Sequence, residues 1–306
     1  MKVSIVGTGR LGSNLAYTLA LKQLATEISL INPLSPELAK GHCIDIQHAL
    51  TMIGQVKMSY GGYETTADAD IIVITSGVTR KQEESRLDLS EKNVEITRQA
   101  ICNILDYNQS AILILANNPV DITTFVALKV SGFPRARVIG TGTLLDSLRF
   151  RFLLSEAANL DPRSINALLL GEHGDSAVPI LSTATVNGLP ISDVSALSAE
   201  DIQRTVDKVK QSGKDLLGLK GGSTYSPALS IATIIDAIVN DQHQIMPLTT
   251  YVQGEYGLDG ICISLPVRIG RAGVEEILEI KLTEDERTKL NLSAGILESE
   301  VTNLNN

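Results

Sequence analysis

His173 is the side chain of this sequence best suited to move a proton. It lies in Gly171-Glu172-His173-Gly174-Asp175-Ser176, directly after an apolar run that predicts a strand at Ile165–Leu170. An imidazole has an ordinary pKa of about 6.5, so it can give and take a proton near neutrality. A single histidine in a loop is more often a solvated residue than a catalyst. The interpretation therefore depends on partners elsewhere in the chain.

Asp146 and Arg149 are candidates for such partners. They stand three residues apart in Leu145-Asp146-Ser147-Leu148-Arg149, at the start of a predicted helix over residues 145–158, so they share one helix face. An aspartate can orient and charge-stabilise a histidine, and an arginine can bind a carboxylate through two parallel hydrogen bonds. The alternative is an ordinary ion pair within one helix.

Two further arginines, Arg80 and Arg86, lie six residues apart in the segment 79–86, which follows a predicted strand at 71–75. Each guanidinium presents a fixed fork of donors. Together they could hold two acidic groups, or one acidic group and a polarised carbonyl. The alternative for Arg80 is a solvent-facing arginine paired with Glu83 or Glu84. The pair therefore indicates an anionic substrate.

A dinucleotide site is predicted at Gly7-Thr8-Gly9-Arg10-Leu11-Gly12. This G-x-G-x-x-G pattern follows a predicted strand at 3–6 and opens a helix over 13–24, where a pyrophosphate can bind the helix N-terminus. The alternative is a plain strand-to-helix turn. Asn32 directly follows a second predicted strand at 27–31, at the position where an acidic residue would bind the ribose hydroxyls and repel a 2′-phosphate. We therefore expect NAD to be preferred, with partial tolerance of NADP.

Asn118 is a further ligand-binding candidate. The segment Asn117-Asn118-Pro119-Val120-Asp121 follows a predicted strand at 111–116, and ligands of parallel sheets bind beyond the carboxyl ends of the strands. Its amide can hydrogen-bond a nicotinamide or a substrate oxygen. The predicted cofactor-binding residues are Gly7, Thr8, Gly9, Arg10, Leu11, Gly12, Asn32, Thr75, Ser76, Gly77, Asn93 and Asn118.

The order of the elements predicts an α/β protein. Apolar runs alternate with helical patterns up to about residue 143, which is typical of a doubly wound parallel Rossmann sheet. The later pattern predicts an α+β domain with helices at 199–217, 227–239 and 284–304 and strands at 165–170, 248–252 and 261–265. We therefore expect a dinucleotide-binding domain over 1–143 and a catalytic domain over 144–306.

The bulk composition excludes several other classes of protein. The net charge of −9 argues against a non-specific nucleic-acid binder, and no apolar run approaches the length of a membrane span. The three cysteines are widely spaced, so neither a disulfide framework nor a metal site is expected. Lys2 leads at once into a strand, so no signal peptide is expected, and a reducing cytoplasm fits best.

The sequence resembles the lactate/malate dehydrogenase family over essentially its whole length. The matching segments are Gly7–Gly12, Ser85-Arg86-Leu87-Asp88-Leu89, Asn118-Pro119-Val120-Asp121, Leu145-Asp146-Ser147-Leu148-Arg149 and Gly171-Glu172-His173-Gly174-Asp175-Ser176. The resemblance implies NAD as cofactor and a small 2-hydroxy or 2-oxo acid as substrate. It also implies a homodimer or homotetramer.

The resemblance also implies a role for each residue of the site. His173 is the acid/base on the C2 oxygen, and Asp146 fixes its tautomer and raises its pKa. Arg149 binds the C1 carboxylate. Arg86 polarises the carbonyl, and Asn118 supports the substrate oxygen and the nicotinamide.

Arg80 decides the expected substrate. In this family the residue six before the loop's catalytic arginine faces the C3 substituent, and its malate enzymes carry Arg there whereas its lactate enzymes usually carry Gln. Malate is therefore expected. L-Lactate or another 2-hydroxy acid is the alternative, because Gln82-Glu83-Glu84 and Gly171-Glu172-His173 look more like lactate enzymes.

Ser223 falls where the family's lactate enzymes often have Thr and many of its malate enzymes have Ala. It is also predicted to contact the substrate. A non-catalytic dinucleotide-binding protein is the remote alternative. The intact set of His173, Asp146, Arg149 and Arg86 speaks against it.

Overall fold

The computed structural model describes residues 1–78, 86–194 and 196–304, with the backbone alone for residues 86–89. The strands are β1 (Lys2–Val6), β2 (Glu27–Ile31), β3 (Lys57–Gly61), β4 (Ile71–Ile74), β5 (Ile112–Leu115), β6 (Val138–Gly140), β7 (Ile165–Leu170), β8 (Val178–Val186), β9 (Leu189–Pro190), β10 (Gln244–Gln253), β11 (Asp259–Gly270) and β12 (Gly273–Ile277). The helices are α1 (Arg10–Lys22), α2 (Pro36–Leu50), α3 (Arg86–Leu105), α4 (Val120–Ser131), α5 (Leu144–Ala158), α6 (Ala199–Lys220), α7 (Tyr225–Val239) and α8 (Glu284–Leu304).

Two compact units divide the chain. The first comprises Met1–Thr141, Thr224–Ile245 and Arg268–Glu276, and the second comprises Gly142–Ser223, Met246–Val267 and Ile277–Asn306. The division runs through β10 and β11, so each of these strands contributes residues to both units.

The first unit is built on a parallel sheet with the strand order β3-β2-β1-β4-β5-β6. β1 lies at the centre, where Val3 pairs with Ile28 of β2 and with Ile71 of β4. Every residue of β4 and β5 is buried, as expected for strands covered on both faces. This confirms the predicted Rossmann sheet and sets the carboxyl ends of β1, β2, β4 and β5 along one edge.

One stretch of the first unit holds two elements that were not predicted from the sequence. No element was predicted between residues 32 and 71, yet α2 and β3 both form there. Two prolines near the start of α2 look like a turn, but Pro36 occupies the first helical position, where its missing N–H costs nothing.

The two units also differ from the predicted division at residue 143. Thr224–Ile245 and Arg268–Glu276 group with the first unit, although both segments lie within the predicted catalytic domain over 144–306. The physical reason is apolar packing: α7 buries Ala228, Ile231 and Ile235 completely and contacts α1. Packing therefore groups α7 with the first unit, although the helix follows residue 143 in the sequence.

The second unit has its own core beneath the antiparallel sheet β7-β8-β9. Phe150 and Leu154 of α5 pack with Ile165 and Leu169 of β7 and with Val206 of α6. This antiparallel sheet packed against helices agrees with the α+β domain predicted for the second half of the chain. Among the helices described for the chain, none is both long and apolar enough to span a membrane.

Candidate active site

The turn between β1 and α1 is shaped for a close approach to the backbone. A Cβ on Gly7 (φ +100°) would lie 2.5 Å from the Ser76 nitrogen, and one on Gly12 would lie 1.9 Å from the Gly7 oxygen. At Gly9, by contrast, a Cβ would meet none of the described atoms within 4 Å. Gly9 is also the N-cap of α1, whose first turn carries no acidic residue. The turn therefore fits the pyrophosphate of a dinucleotide, which approaches such a helix N-terminus from that side.

Side chains at the ends of β2 and β4 support this turn. Thr75 Oγ1 donates a hydrogen bond to the Gly7 carbonyl over 2.6 Å, so this hydroxyl supports the glycine turn. Asn32 Nδ2 donates to Thr8 Oγ1 over 3.0 Å, and Asn32 Oδ1 accepts from the Ser35 N–H over 3.1 Å. Arg10 is exposed at the first position of α1. These predicted cofactor residues do come together around one turn.

Asn93 connects the ends of β4 and β5. Its Oδ1 accepts a hydrogen bond from the Val78 N–H over 2.8 Å, and its Nδ2 donates to the carbonyls of Val78 (3.2 Å) and Asn118 (2.7 Å). The side chain is almost fully buried. Ser76 Oγ and Asn117 Oδ1 are buried nearby without a hydrogen-bond partner among the described residues. Such orphaned polar atoms are typical of an edge that a polar ligand completes.

The predicted substrate residues of the first unit are only partly described. Asn118 follows β5 with an exposed side chain. α3 begins at Arg86, whose side chain is not among the described atoms, and Arg80 lies outside the described residues. Their roles toward the substrate stay predictions.

Asp146 and His173 are in contact in the second unit. His173 Nδ1 lies 2.6 Å from Asp146 Oδ2, and the carboxylate is buried. A carboxylate only accepts hydrogen bonds, so Nδ1 carries the proton and Nε2 becomes the acid/base atom. Burial alone would raise the pKa of the Asp146 carboxyl, but His173 and Arg149 outweigh it and hold that pKa below its ordinary value. The aspartate is therefore ionised while it orients the ring.

The same carboxylate also holds Arg149. Arg149 Nη1 lies 3.3 Å from Asp146 Oδ1, and Arg149 Nη2 donates to Ser223 Oγ over 2.9 Å. One side of the guanidinium is thereby fixed in a partly buried position. A carboxylate placed against it would be held beside the histidine. The structure thus brings Asp146, Arg149, His173 and Ser223 together.

A hydrogen-bond network under the histidine was missed by the sequence analysis. Ser176 Oγ donates to the Glu172 carboxylate, Ser293 Oγ lies 2.8 Å from Ser176 Oγ, and the Glu172 N–H donates to Ser293 Oγ over 2.8 Å. Ser293 lies on α8, far from the histidine in sequence, and a serine there gives no signal that could have revealed it. The network fixes the turn on which His173 stands.

A second group of titratable side chains lies in the first unit. Asp241, His243 and Glu275 place ligand atoms within 4.8 Å of one another. Arg268 Nε contacts the Glu275 oxygen that also contacts His243 Nδ1. The hydrogen bond to Glu275 raises the pKa of His243 above its ordinary value. This arrangement is an exposed ion-pair network in which the Arg268 guanidinium already pairs with Glu275.

Comparison with known proteins identifies the family. The family model for the lactate/malate dehydrogenase NAD binding domain matches residues 1–140, and the model for the alpha/beta C-terminal domain of the same enzymes matches residues 143–306. The chain belongs to the lactate/malate dehydrogenase family. Members of this family are NAD-dependent oxidoreductases, so the predicted cofactor is confirmed.

Relatives with both substrate names are about equally similar to the chain. The L-lactate dehydrogenase of Acetivibrio thermocellus is 38% identical over 308 residues, covering 99% of the chain and 97% of the relative. The malate dehydrogenase of Chlorobium luteolum is also 38% identical over 308 residues, covering 99% and 98%. A solved structure of a minor L-lactate dehydrogenase from Enterococcus mundtii, in a ligands-bound form, has a TM-score of 0.93 at 35% identity and covers 97% of the chain and 96% of its own.

These comparisons bear on the expected substrate. Most of the homologues carry the name L-lactate dehydrogenase, so malate is not confirmed and the lactate alternative is the better supported by the comparisons. The family alone establishes a lactate/malate dehydrogenase-type enzyme.

Proposed function

We propose that the chain catalyses the reversible NAD-dependent oxidation of a 2-hydroxy acid to a 2-oxo acid. The observation that carries this proposal is the 2.6 Å contact between His173 Nδ1 and Asp146 Oδ2 beside Arg149. Bound NAD supplies the hydride acceptor or donor for C2. His173 takes the proton from the C2 oxygen during oxidation and returns it during reduction.

The remaining residues hold the substrate and stabilise charge. Arg149 binds the C1 carboxylate, and Ser223 keeps its guanidinium in place. Negative charge develops on the C2 oxygen during reduction, and a cationic Arg86 is suited to stabilise it. Asn118 is proposed to hydrogen-bond the substrate oxygen.

Malate is the substrate that we propose within this class. Arg80 stands six residues before Arg86, at the position that the family resemblance assigns to the C3 substituent. A desolvated charge pair with a second carboxylate discriminates better than contact with a methyl group. The relatives of both names are 38% identical to the chain, so one side chain at a substrate position is more specific than overall similarity.

L-Lactate is the second candidate, and a specific observation favours it. Most of the homologues are named L-lactate dehydrogenase, and the solved relative from Enterococcus mundtii carries that name too. Glu83 and Glu84 add negative charge close in sequence to Arg80, which disfavours a dianionic substrate.

Steady-state kinetics decide between the candidates. The oxidation of NADH would be followed with oxaloacetate and with pyruvate, for the wild type and for Arg80→Gln. We expect oxaloacetate to be preferred and Arg80→Gln to lower its kcat/KM by roughly 100-fold or more while raising the use of pyruvate.

Lys81→Gln is the matched control, because it removes a neighbouring positive charge and should leave the substrate ratio unchanged. A wild type that prefers pyruvate supports the lactate candidate. A wild type that turns over neither acid contradicts the proposed function. A cytoplasmic location is proposed from the wide spacing of the three cysteines, and a homodimeric or homotetrameric state is proposed from the family resemblance alone.

A further inference from the structure

Two hydroxyl groups at the start of α5 hold a single residue of β7. Thr143, the N-cap of α5, donates from Oγ1 to the Leu169 carbonyl over 2.5 Å. Ser147, four residues later, accepts from the Leu169 N–H over 2.9 Å. All three residues are completely buried. Both backbone groups of Leu169 are therefore bonded to the helix that carries Asp146.

The sheet leaves these backbone groups of Leu169 without a strand partner. β7 is the end strand of β7-β8-β9, and alternate residues of such a strand direct their N–H and C=O away from the neighbouring strand. The residue opposite Leu169 in β8 is Pro179, which has no N–H to donate. Buried backbone groups require partners. The two hydroxyls of α5 supply them.

Ser264 of β11 closes this arrangement into a ring. Its backbone N–H and C=O pair with the C=O and N–H of Gly171, over 3.1 Å and 2.9 Å. Its hydroxyl accepts the Thr143 N–H over 3.0 Å. A closed path thus runs from Thr143 through a hydrogen bond to Leu169, along the covalent backbone to Gly171, and through the hydrogen bonds of Ser264 back to Thr143. We call Thr143, Ser147 and Ser264 the hydroxyl ring.

The hydroxyl ring joins the two segments that carry the acid/base pair. Asp146 lies between Thr143 and Ser147 in sequence, and His173 lies two residues after Gly171. One residue of an α-helix advances about 1.5 Å, so a small slip of α5 along β7 would break a short contact. The Asp146–His173 distance is 2.6 Å. It therefore depends on how α5 is registered against β7.

We propose that Thr143, Ser147 and Ser264 are positioning residues that fix the register of α5 on β7 and so hold Asp146 against His173. None of them needs to touch the substrate for this. The proposal rests on the proposed function for its link to turnover. The effect of the hydroxyl ring on His173 itself can be measured without a substrate.

Thr143→Val and Thr250→Val form a matched pair of variants. Each replaces a completely buried threonine of the second unit by a side chain of the same shape. Thr143 loses the hydrogen bond to Leu169, whereas Thr250 Oγ1 has no hydrogen-bond partner among the described residues. Any difference between the two variants therefore reports the lost bond and not the lost hydroxyl.

The kinetic test is a pH profile of kcat/KM for oxo-acid reduction with saturating NADH. For Thr143→Val we expect kcat to fall by about tenfold to 100-fold. The apparent pKa of the profile should move down by up to about one pH unit, because a more distant carboxylate favours the imidazolium less. The KM for NADH should be unchanged. Thr250→Val should match the wild type in kcat, in the apparent pKa and in the KM for NADH.

The second test is the proton NMR signal of the His173 Nδ1–H in the full chain without substrate. A proton held between imidazole and carboxylate resonates far downfield, and Thr143→Val should move or broaden this signal while Thr250→Val should not. If the wild type turns over neither oxo acid but this difference appears, the proposed function fails and the positioning role stands.

Three outcomes overturn the positioning role. In the first, Thr143→Val and Ser147→Ala both keep the wild-type profile and signal. In the second, Thr250→Val changes them as much as Thr143→Val does. In the third, kcat falls with no change in the apparent pKa or in the signal. Ser147→Ala supplies the same comparison where Thr143→Val does not fold.

Discussion

Asn32 donates a hydrogen bond from Nδ2 to Oγ1 of Thr8, across the glycine turn of the first unit. The other end of the same amide accepts from the Ser35 N–H. The side chain is therefore held from both sides in one orientation. Its position at the end of β2 is the one from which this fold addresses the adenosine ribose. The absence of a negative charge there, and not a different placement, distinguishes it from an aspartate.

Asn32→Asp is expected to sharpen the preference for NAD over NADP. A carboxylate would accept hydrogen bonds from the ribose hydroxyls and repel a 2′-phosphate, which should raise the ratio of the two kcat/KM values by about tenfold or more. The Thr8 hydroxyl and the Ser35 N–H can both donate to the new carboxylate, so the turn should fold as before. Ser35→Ala, which keeps the backbone N–H, is the control. An unchanged ratio in Asn32→Asp would rule out a selecting role for this position.

Arg149→Lys is expected to impair binding of the substrate carboxylate. The charge is kept, but the planar fork that contacts Asp146 and Ser223 is lost, so kcat/KM should fall by roughly 100-fold, chiefly through KM of the oxo acid. Arg163→Lys is the control, because it alters an exposed arginine–aspartate pair on the surface. Equal activity of Arg149→Lys and wild type would contradict the carboxylate-binding role.

His173→Asn is expected to lower kcat by about 100-fold to 10,000-fold through loss of general acid/base catalysis. In Asp146→Asn the histidine remains but loses its negative neighbour, so the apparent pKa of oxo-acid reduction should fall. Reduction requires the protonated histidine, so its kcat/KM declines as pH rises through that pKa. The decline should begin at lower pH in Asp146→Asn. A pH profile of kcat/KM identical to that of the wild type would contradict the assignment of Asp146 as the charged partner of His173.

Glu286 is expected to stabilise the second unit in a pH-dependent way. Its nearly buried carboxylate accepts hydrogen bonds from the N–H groups of Leu181, Ser182 and Thr283. Burial alone would raise the pKa of this carboxyl, but the hydrogen bonds from Ser182 and Thr283 outweigh it and hold the pKa below its ordinary value of 4.5. The stabilisation is thus complete above about pH 4.5 and is lost as the pH falls through the lower folded pKa.

Denaturant unfolding of Glu286→Gln tests this. At neutral pH the variant should lose about 1–3 kcal/mol of unfolding free energy, and the difference from wild type should shrink in acid. Glu284→Gln, an exposed neighbour in the same helical turn, should change little. A pH-independent difference would mean that Glu286 acts through packing alone.

The parts of the fold that followed from the sequence have strong local signals. β2 and β7 were predicted with their observed ends because each is a short segment rich in Ile and Leu that stops at a turn residue, Asn32 or Gly171. For α2 the signal was present but masked by two prolines, since Ala39, Cys43 and Ile46 recur at a helical period. β8 was missed because Pro179 interrupts its alternation.

The candidate site also has some contacts that the sequence predicted and others that it did not. Asp146 and Arg149 could be paired from their three-residue spacing, and their link to His173 followed from the family resemblance. Thr143 and Ser264 are 121 positions apart, as are Glu172 and Ser293. A hydroxyl that bonds a distant backbone group has no periodicity or motif that would reveal it in the sequence. Long-range polar contacts of this kind require the folded chain.

Asp146 contacts His173 with one oxygen and Arg149 with the other. In the proposed reaction the histidine addresses the oxygen on C2 and the arginine addresses the carboxylate on C1. A single carboxylate therefore sets the spacing between the two groups that recognise C1 and C2, the carbon–carbon bond that every 2-hydroxy acid shares. It does not constrain the substituent beyond C2. In the proposed enzyme, the group on C3 is therefore selected separately, by Arg80, while the C1–C2 arrangement stays the same. A 3-hydroxy acid, whose hydroxyl is one carbon further from its carboxylate, would not place that oxygen at His173.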